Sequence, residues 1–390
     1  MTIFYQTDKT KAYLGLGLLI AFLAVTNTSQ AELRYNITDL GTWGLRNHFD
    51  YGINASGQVT GSAGLTYDSS GNVIFDNDSY YNHAIIINSS GQVIDLGTFG
   101  GTNYNSVGYD INAIGQVAGR SEGPLFSAGY YSGHAFVTNT SGEMIDLGTL
   151  GGPRSLAYGI NDSGLVTGWA ETTDGGSHAF ITNDNGVMID MGTLGGNIST
   201  GSAINNQGQV TGFAQLTDGI THHAFITNSN LQMIDLGTLG GSSSAGTAIN
   251  DLGQVTGYSL TAGDSFLHAF VTDGSGIMID IGTLDGISFG NDINNFGQVV
   301  GSYGQGAFVT VNGKMTDLTS LLIANEAGWQ LENAQAINDI GQIVGLGINK
   351  YGGSRTYLLT PAAVPIPTAA WLFGSGLIGL LGFKRNLITV

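Results

Sequence analysis

Apolar and polar residues alternate along this chain in short runs, and the runs recur. Between 245 and 284 the apolar-rich runs are AGTAIN, QVTGYS, LHAFVT and MIDIGTL. They are rich in Val, Ile, Thr and aromatics and are separated by small polar residues, which predicts strands. Asn250-Asp251-Leu252-Gly253 joins the first two runs, and Asp273-Gly274-Ser275-Gly276 joins the last two. Asn or Asp opening a four-residue link that ends in Gly predicts a type I turn followed by a left-handed Gly. Each unit therefore reads as an antiparallel meander of four strands.

The unit repeats down the chain. Its clearest copies span 157–196 and 202–241, and its anchor, Ile-Asn, places Asn at 54, 112, 161, 205, 250, 294 and 338. The last five steps are 49, 44, 45, 44 and 44 residues. Self-similarity at this period means stacked units, none able to bury its own apolar face alone.

First and second strands occur at the seven Ile-Asn positions. Fourth strands fall at Asp39, Asp95, Asp146, Asp190, Asp235, Asp280 and Asp317. Third strands match them if Ala307-Phe308 and Thr356 to Leu359 are degenerate copies. The array begins with a fourth strand (YNITDLGT, 35–42) and finishes with a first, second and third (334–360). The expected fold is therefore all-β, a seven-bladed β-propeller of four-stranded antiparallel blades, closed by pairing the N-terminal strand with the C-terminal ones. A β-solenoid is the alternative, but it has no need of that offset.

Both ends read differently. Residues 1–31 carry Lys9 and Lys11, then AYLGLGLLIAFLAV, then Ser29-Gln30-Ala31. That order is the grammar of a secretory signal peptide with its helical apolar region. A retained membrane helix is the alternative. The segment 362–390 ends in an uncharged stretch from Ala369 to Phe383, followed at once by Lys384 and Arg385. It approaches bilayer-spanning length and predicts a hydrophobic helix with a basic stop. The exported domain is thus expected at 32–361.

Two resemblances are carried by these residues. Val364-Pro365-Ile366-Pro367, the run from Trp371 and the Lys384-Arg385 pair resemble a PEP-CTERM sorting signal of the VPLPA type, over about 364–390. That resemblance implies processing by an exosortase-type enzyme at the envelope of a Gram-negative cell, with membrane anchoring at least transiently. The alternative is a plain membrane anchor. The repeats, over about 35–360, resemble the HAF family of extracellular repeats, through His-Ala-Phe at 134–136, 178–180, 223–225 and 268–270. His83-Ala84-Ile85 and Gly306-Ala307-Phe308 depart from the motif. The family implies an extracellular location and no chemistry.

Charge then narrows the partners. The formal net charge is −18, with Gly at 63 residues and charged residues at only 10%. The body is more negative still, because the ends hold Lys9, Lys11, Lys384 and Arg385 against Asp8. A phosphate backbone would be repelled, so no nucleic-acid partner is expected. The absence of cysteine excludes disulfides, thiolate metal sites and Cys nucleophiles.

The repeat histidines His83, His134, His178, His223 and His268 are expected to bond a neighbouring strand or turn. Equivalent positions on adjacent blades lie too far apart to share one metal ion. Acidic residues are spread singly, one per strand end, unlike a calcium loop. No metal or cofactor is expected, and no nucleophile elbow, P-loop, HExxH or dinucleotide motif is present. The Gly-Gly pairs at 100, 151, 195 and 240 are expected to end strands.

Attention falls on the links that vary between repeats. The link from Ser62 to Asn82 holds Tyr67, Phe75, Tyr80 and Tyr81 with Asp68, Asp76 and Asp78. The link 120–133 holds Phe126, Tyr130 and Tyr131, and further links bring Trp43, His48, Phe49, Tyr51 and Trp329. Aromatics beside carboxylates suit sugar rings, and decorated loops on rigid scaffolds carry function. Tyr67, Phe75, Tyr80, Tyr81, Phe126, Tyr130, Tyr131 and Trp43 are the candidate ligand-binding residues. The alternative is that they pack their own loops. The expected role is non-enzymatic, a surface or matrix protein binding extracellular polysaccharide or another envelope component. A propeller-type glycosidase or lyase is the competing class.

Overall fold

The computed structural model describes residues 33–42, 51–70, 73–76, 79–124, 133–323 and 328–362. The N-terminal segment 1–31 lies outside these residues. So do Val364, Pro365, Pro367, Trp371, Lys384 and Arg385, and with them both helices expected at the ends. What is described is all-β, built from repeated four-stranded antiparallel sheets. In the copy at 195–235 the strands are Gly195–Ile204, Val210–Leu216, His222–Thr227 and Met233–Asp235, hydrogen-bonded in that order. The strand Tyr35–Gly41 pairs antiparallel with Ser354–Pro361, in one sheet with Ile343–Ile348 and Gln330–Ile337. Among the described residues the only helical segments are two short 3-10 turns, Ala262–Asp264 and Thr319–Leu321. No helix there is long and apolar enough to cross a membrane.

The turns follow the predicted chemistry. Asn250 Oδ1 accepts from the main-chain N–H of Leu252 at 3.1 Å and of Gln254 at 3.0 Å. Gly253 then sits at φ 73°, where a side chain would be strained. Asp273 does the same in the second hairpin, accepting from Ser275 at 2.8 Å and Ile277 at 3.0 Å.

Core clusters straddle consecutive sheets, which is why one unit cannot stand alone. Ala179 and Ile181 of one sheet pack with Ile204, Val210, Ala214 and Phe225 of the next. The motif phenylalanines Phe136, Phe180, Phe225, Phe270 and Phe308 are fully buried, and Tyr357 takes the corresponding place in the last third strand. Each stands opposite a second-strand glycine in the ladder. A Cβ on Gly168 would stand 1.8 Å from the Leu156 carbonyl oxygen, so only Gly fits there. A serine then staples neighbouring sheets: Ser199 Oγ accepts from Ala179 N and donates to the Gly192 carbonyl. Ser155, Ser244 and Ser288 repeat this bond pair.

The anchor asparagines join all the first strands. Nδ2 of Asn54, Asn112, Asn161, Asn205, Asn250 and Asn294 each donates to the main-chain oxygen of the next asparagine in that order, at 3.0 to 3.3 Å. Asn338 Nδ2 donates to Asn54 O at 3.0 Å. The cluster of Tyr51, Ile53, Val59, Ala63, Ile85 and Ile87 also holds Ala336, Val344 and Leu346.

Two local expectations change. The link expected at 62–82 is largely strand. Val59–Tyr67 continues past the sheet, and Val73–Phe75 folds back on it, with Leu65 opposite Phe75 and Tyr67 opposite Val73. The Gly-Gly pairs at 151, 195 and 240 open first strands instead of ending fourth ones. Gly151, Gly195 and Gly240 take φ near 100°, which lets the chain turn directly from one sheet into the next.

Candidate functional site

Six first strands carry a β-bulge three residues before the anchor asparagine. In one, Gly108 faces Gly119 and Asp110 faces Ala118, so the register passes over Tyr109. Tyr158, Ser202, Thr247, Asn291 and Gln335 are skipped in the same way. A bulge frees one residue from pairing and re-aims its side chain. Here all six line one cavity of about 510 Å³, joined by Tyr51 at the equivalent place in the remaining repeat. The lining is two-sided in sequence order: Tyr51, Tyr109 and Tyr158 form an aromatic arc, while Ser202, Thr247, Asn291 and Gln335 form a hydrogen-bonding one. Phe213 and Tyr258 of the second strands add aromatic wall. The rings pack edge to face, Tyr109 on Tyr158 at 5.1 Å and Tyr258 on Phe289 at 5.2 Å between centroids.

One residue further along, five repeats carry Gly52, Gly159, Ala203, Ala248 and Ala336, but two carry Asp110 and Asp292. Both carboxylates line the cavity. Asp110 accepts main-chain N–H groups of Ile111 at 2.8 Å and Ile160 at 2.9 Å. Asp292 accepts those of Ile293 and Ile337, both at 2.8 Å. Desolvation outweighs these bonds and raises both carboxyls, and the negative field of Asp110 adds to the effect on Asp292, which is pushed up to about 7. Among the described residues, no Lys, Arg or His lines the cavity.

At the other end of the first strands is a shallower recess of about 310 Å³, edged by the anchor asparagines and the residues after them. Its acidic residues are already bonded. Asn206 Nδ2 donates to Asp162 and Asp251, and Asn295 Nδ2 to Asp251 and Asp339. This arc ties strands together.

The five repeat histidines bond the adjacent fourth strand, as expected of a structural role. His178 Nδ1 lies 2.9 Å from both oxygens of Asp190, whose Oδ1 also accepts from Gly192 N at 2.7 Å. His83, His134, His223 and His268 face Asp95, Asp146, Asp235 and Asp280 alike. In the sheet formed from both ends of the array, Arg355 stands in the histidine's place, 3.7 Å from Asp39. Among the described residues no group of three His, Asp or Glu could hold a metal ion.

The residues selected from sequence fall elsewhere. The Tyr67 hydroxyl donates to Asp95, and burial together with that carboxylate raises Tyr67 to about 12. Phe75 packs beside Leu65 against the core. Tyr80 is 86% exposed and Tyr81 39%. Trp43, His48, Phe49, Asp78, Phe126, Tyr130 and Tyr131 lie outside the described residues. Of the aromatics named from sequence, Tyr51 is the described one that reaches the cavity. The remaining lining was missed because it lies inside strands whose neighbouring places vary as well. Its signal was present: with repeats aligned on Ile-Asn, the place three residues earlier reads Tyr, Tyr, Tyr, Ser, Thr, Asn, Gln.

No protein-family model matches the chain, and no curated protein matches it. Solved structures do. Puromycin hydrolase is similar at 13% identity and TM-score 0.53, over 83% of this chain and 53% of its own. TolB from Acinetobacter baumannii is similar at 12% identity and TM-score 0.42, over 79% and 64%. A gluconolactonase from Xanthomonas campestris is similar at 9% identity and TM-score 0.37, over 86% and 96%. The chain thus spans about half of puromycin hydrolase and less than two thirds of TolB. At 13% identity the likeness to puromycin hydrolase concerns the fold alone, an all-β, propeller-like stack of repeated four-stranded sheets.

Proposed function

We propose that this chain is an exported, non-enzymatic glycan-binding protein of the cell surface or matrix, built as a seven-bladed propeller of HAF-type repeats. Closure of the ring is supported by the pairing of Tyr35–Gly41 with Ser354–Pro361 and by the bond from Asn338 back to Asn54. Export draws on residues 1–31. Sorting by an exosortase-type enzyme, with passage through a membrane-anchored form, draws on Val364, Pro365, Pro367, Trp371, Lys384 and Arg385. The observation that carries the binding role is the cavity, where tyrosines oppose Ser, Thr, Asn and Gln. A sugar ring asks for that pairing, since it stacks an apolar face and hydrogen-bonds its hydroxyls. The change from Tyr to Ser, Thr, Asn and Gln at these places is a feature a scaffold alone does not need.

The test is retention of extracellular polysaccharides by the full chain and by a variant combining Tyr109→Ala and Tyr158→Ala. Loss of retention in a variant that melts like the wild type supports the proposal. Unchanged retention overturns it for this cavity and returns attention to Tyr80 and Tyr81. A glycosidase or lyase is the second reading, favoured by two desolvated carboxylates of which one titrates near neutrality. Release of shortened products from a retained polysaccharide, abolished by Asp292→Ala, would establish it over simple binding.

A further inference from the structure

Three consecutive repeats present a large apolar side chain at the tip of the hairpin that joins their first two strands. Leu252 is 70% exposed, Phe296 75% and Ile340 62%. Each is the third residue of an Asn-to-Gly turn that does not require it. Ser56, Ser163 and Gln207 fill the same place in other repeats, and Ile114 in one more. The three tips stand side by side. Asn250 Nδ2 donates to Asn294 O at 3.0 Å, and Asn294 Nδ2 to Asn338 O at 3.3 Å. The main-chain N–H of Asp251 donates to Asn295 Oδ1, and that of Asn295 to Asp339 Oδ1, both at 2.8 Å. A contiguous apolar arc left in water marks a docking surface. The course of the chain says what covers it. Leu359 pairs with Ile343, and Pro361 lies 3.2 Å from where a Cβ on Gly341 would stand, so the body ends beside Ile340. The uncharged stretch from Ala369 to Phe383 begins soon after. The intervening residues, Ala362 to Thr368, reach at most about 25 Å when fully extended.

We infer that this end of the first strands docks on a lipid surface, with Leu252, Phe296 and Ile340 seated at the headgroup boundary. The inference rests on the membrane-anchored form proposed above and adds the orientation of the body. A segment held in the bilayer so close to the arc keeps the tips at high local concentration, so weak apolar contacts suffice to hold them there. A formal net charge of −18 favours a zwitterionic surface over an anionic one. The cavity lined by Tyr109, Tyr158, Asn291 and Gln335 lies at the opposite end of the first strands. Docking therefore turns the cavity away from the membrane, where a glycan can enter it.

The chain has no cysteine, so a single introduced cysteine can carry a nitroxide label at a chosen place. The test uses the full chain in phosphatidylcholine vesicles, labelled through Phe296→Cys, Leu252→Cys, Ser163→Cys or Leu380→Cys. Relaxation of the label by oxygen, which concentrates in lipid, is compared with relaxation by a water-soluble nickel chelate. Ser163 holds the same place three turns back along the asparagine row from Phe296. Leu380 reports on the apolar segment alone. The expected result is a preference for oxygen at positions 380, 296 and 252, and for nickel at 163. A label at 380 in lipid, with labels at 296 and 252 open to nickel, would overturn the docking and keep the anchor. A label at 380 open to nickel would overturn the anchor and the docking with it. Equal preference at 163 and 296 would overturn the role of the arc. Labels at 296 and 252 shielded from both relaxants would overturn lipid as the occupant and point to a protein surface. Positions 296 and 252 are both exposed and are read separately, so the result does not depend on one variant folding.

Discussion

Asn338 Nδ2 donates to the main-chain oxygen of Asn54 at 3.0 Å, across 284 residues of chain. The bond has the same form as the link from Asn205 to Asn250, which spans a single repeat of 45 residues. Contacts of equal geometry at such unequal sequence separation support the closed ring proposed above.

Asn338→Ala and Asn205→Ala should therefore cost alike. Each removes an amide that donates across to the next strand and a carbonyl that orders its own turn. The expected loss is about 2 kcal/mol in both, since partner groups are left buried and unsatisfied. Thermal melts decide it. A Tm drop for Asn205→Ala with none for Asn338→Ala would mean that the two chain ends do not hold one another.

The close approach at second-strand glycines is equally testable. Gly168→Ala would drive a Cβ into the Leu156 carbonyl and should cost more than about 3 kcal/mol or prevent folding. Gly274→Ala meets nothing within 4 Å and should be neutral or slightly stabilising. Equal behaviour of the two in denaturant unfolding would contradict the packing described.

His134 and Asp146 form a partly exposed pair, for which a double-mutant cycle should return about 0.5 kcal/mol of coupling. Burial works against ionisation of Asp146, but the bonds from His134 and Gly148 prevail and hold its carboxyl below the usual range. A carboxylate lowered on folding stabilises above its unfolded value, near pH 4, and that stability is lost as pH falls through the folded value. Coupling measured at pH 6 should therefore fade as the pH is taken below about 4. Coupling that persists undiminished in acid would show that the ion pair is not its source.

Asp292 runs the other way. Its carboxyl is raised to about 7 by desolvation and by Asp110, so the folded state disfavours the ionised form. Its contribution to stability falls as pH rises from about 4 to 7 and stays low above that. Asp292→Ala should therefore improve Tm relative to the wild type more at pH 8 than at pH 4. A difference independent of pH would place the ionisation elsewhere.

The hairpins were legible because Asn250, Gly253, Asp273 and Gly276 act through bonds to neighbours four residues away or fewer. Turn chemistry is local, and local chemistry can be read from spacing. The structural role of His178 was also legible, although its partner, Asp190, emerged only when the third and fourth strands paired. The site was not. The links at 62–82 looked like loops because Tyr67, Phe75 and Tyr80 break the repeat, yet Tyr67 and Phe75 serve a strand extension and its packing. The residues that converge, from Tyr109 to Gln335, differ from copy to copy inside strands that vary at neighbouring places as well, so spacing alone does not single them out.

By itself the sequence determined the four-strand unit, its turns, its recurrence and the offset between its first and last strands, because periodicity and turn residues act over short range. Only the tertiary structure decided where function could sit. A bulge is a matter of which residues pair across two strands, and its consequence is the direction of a side chain. Asp110 and Asp292 lie 182 positions apart in the chain. They share one cavity because stacked sheets bring their first strands together, and no spacing along the chain encodes that.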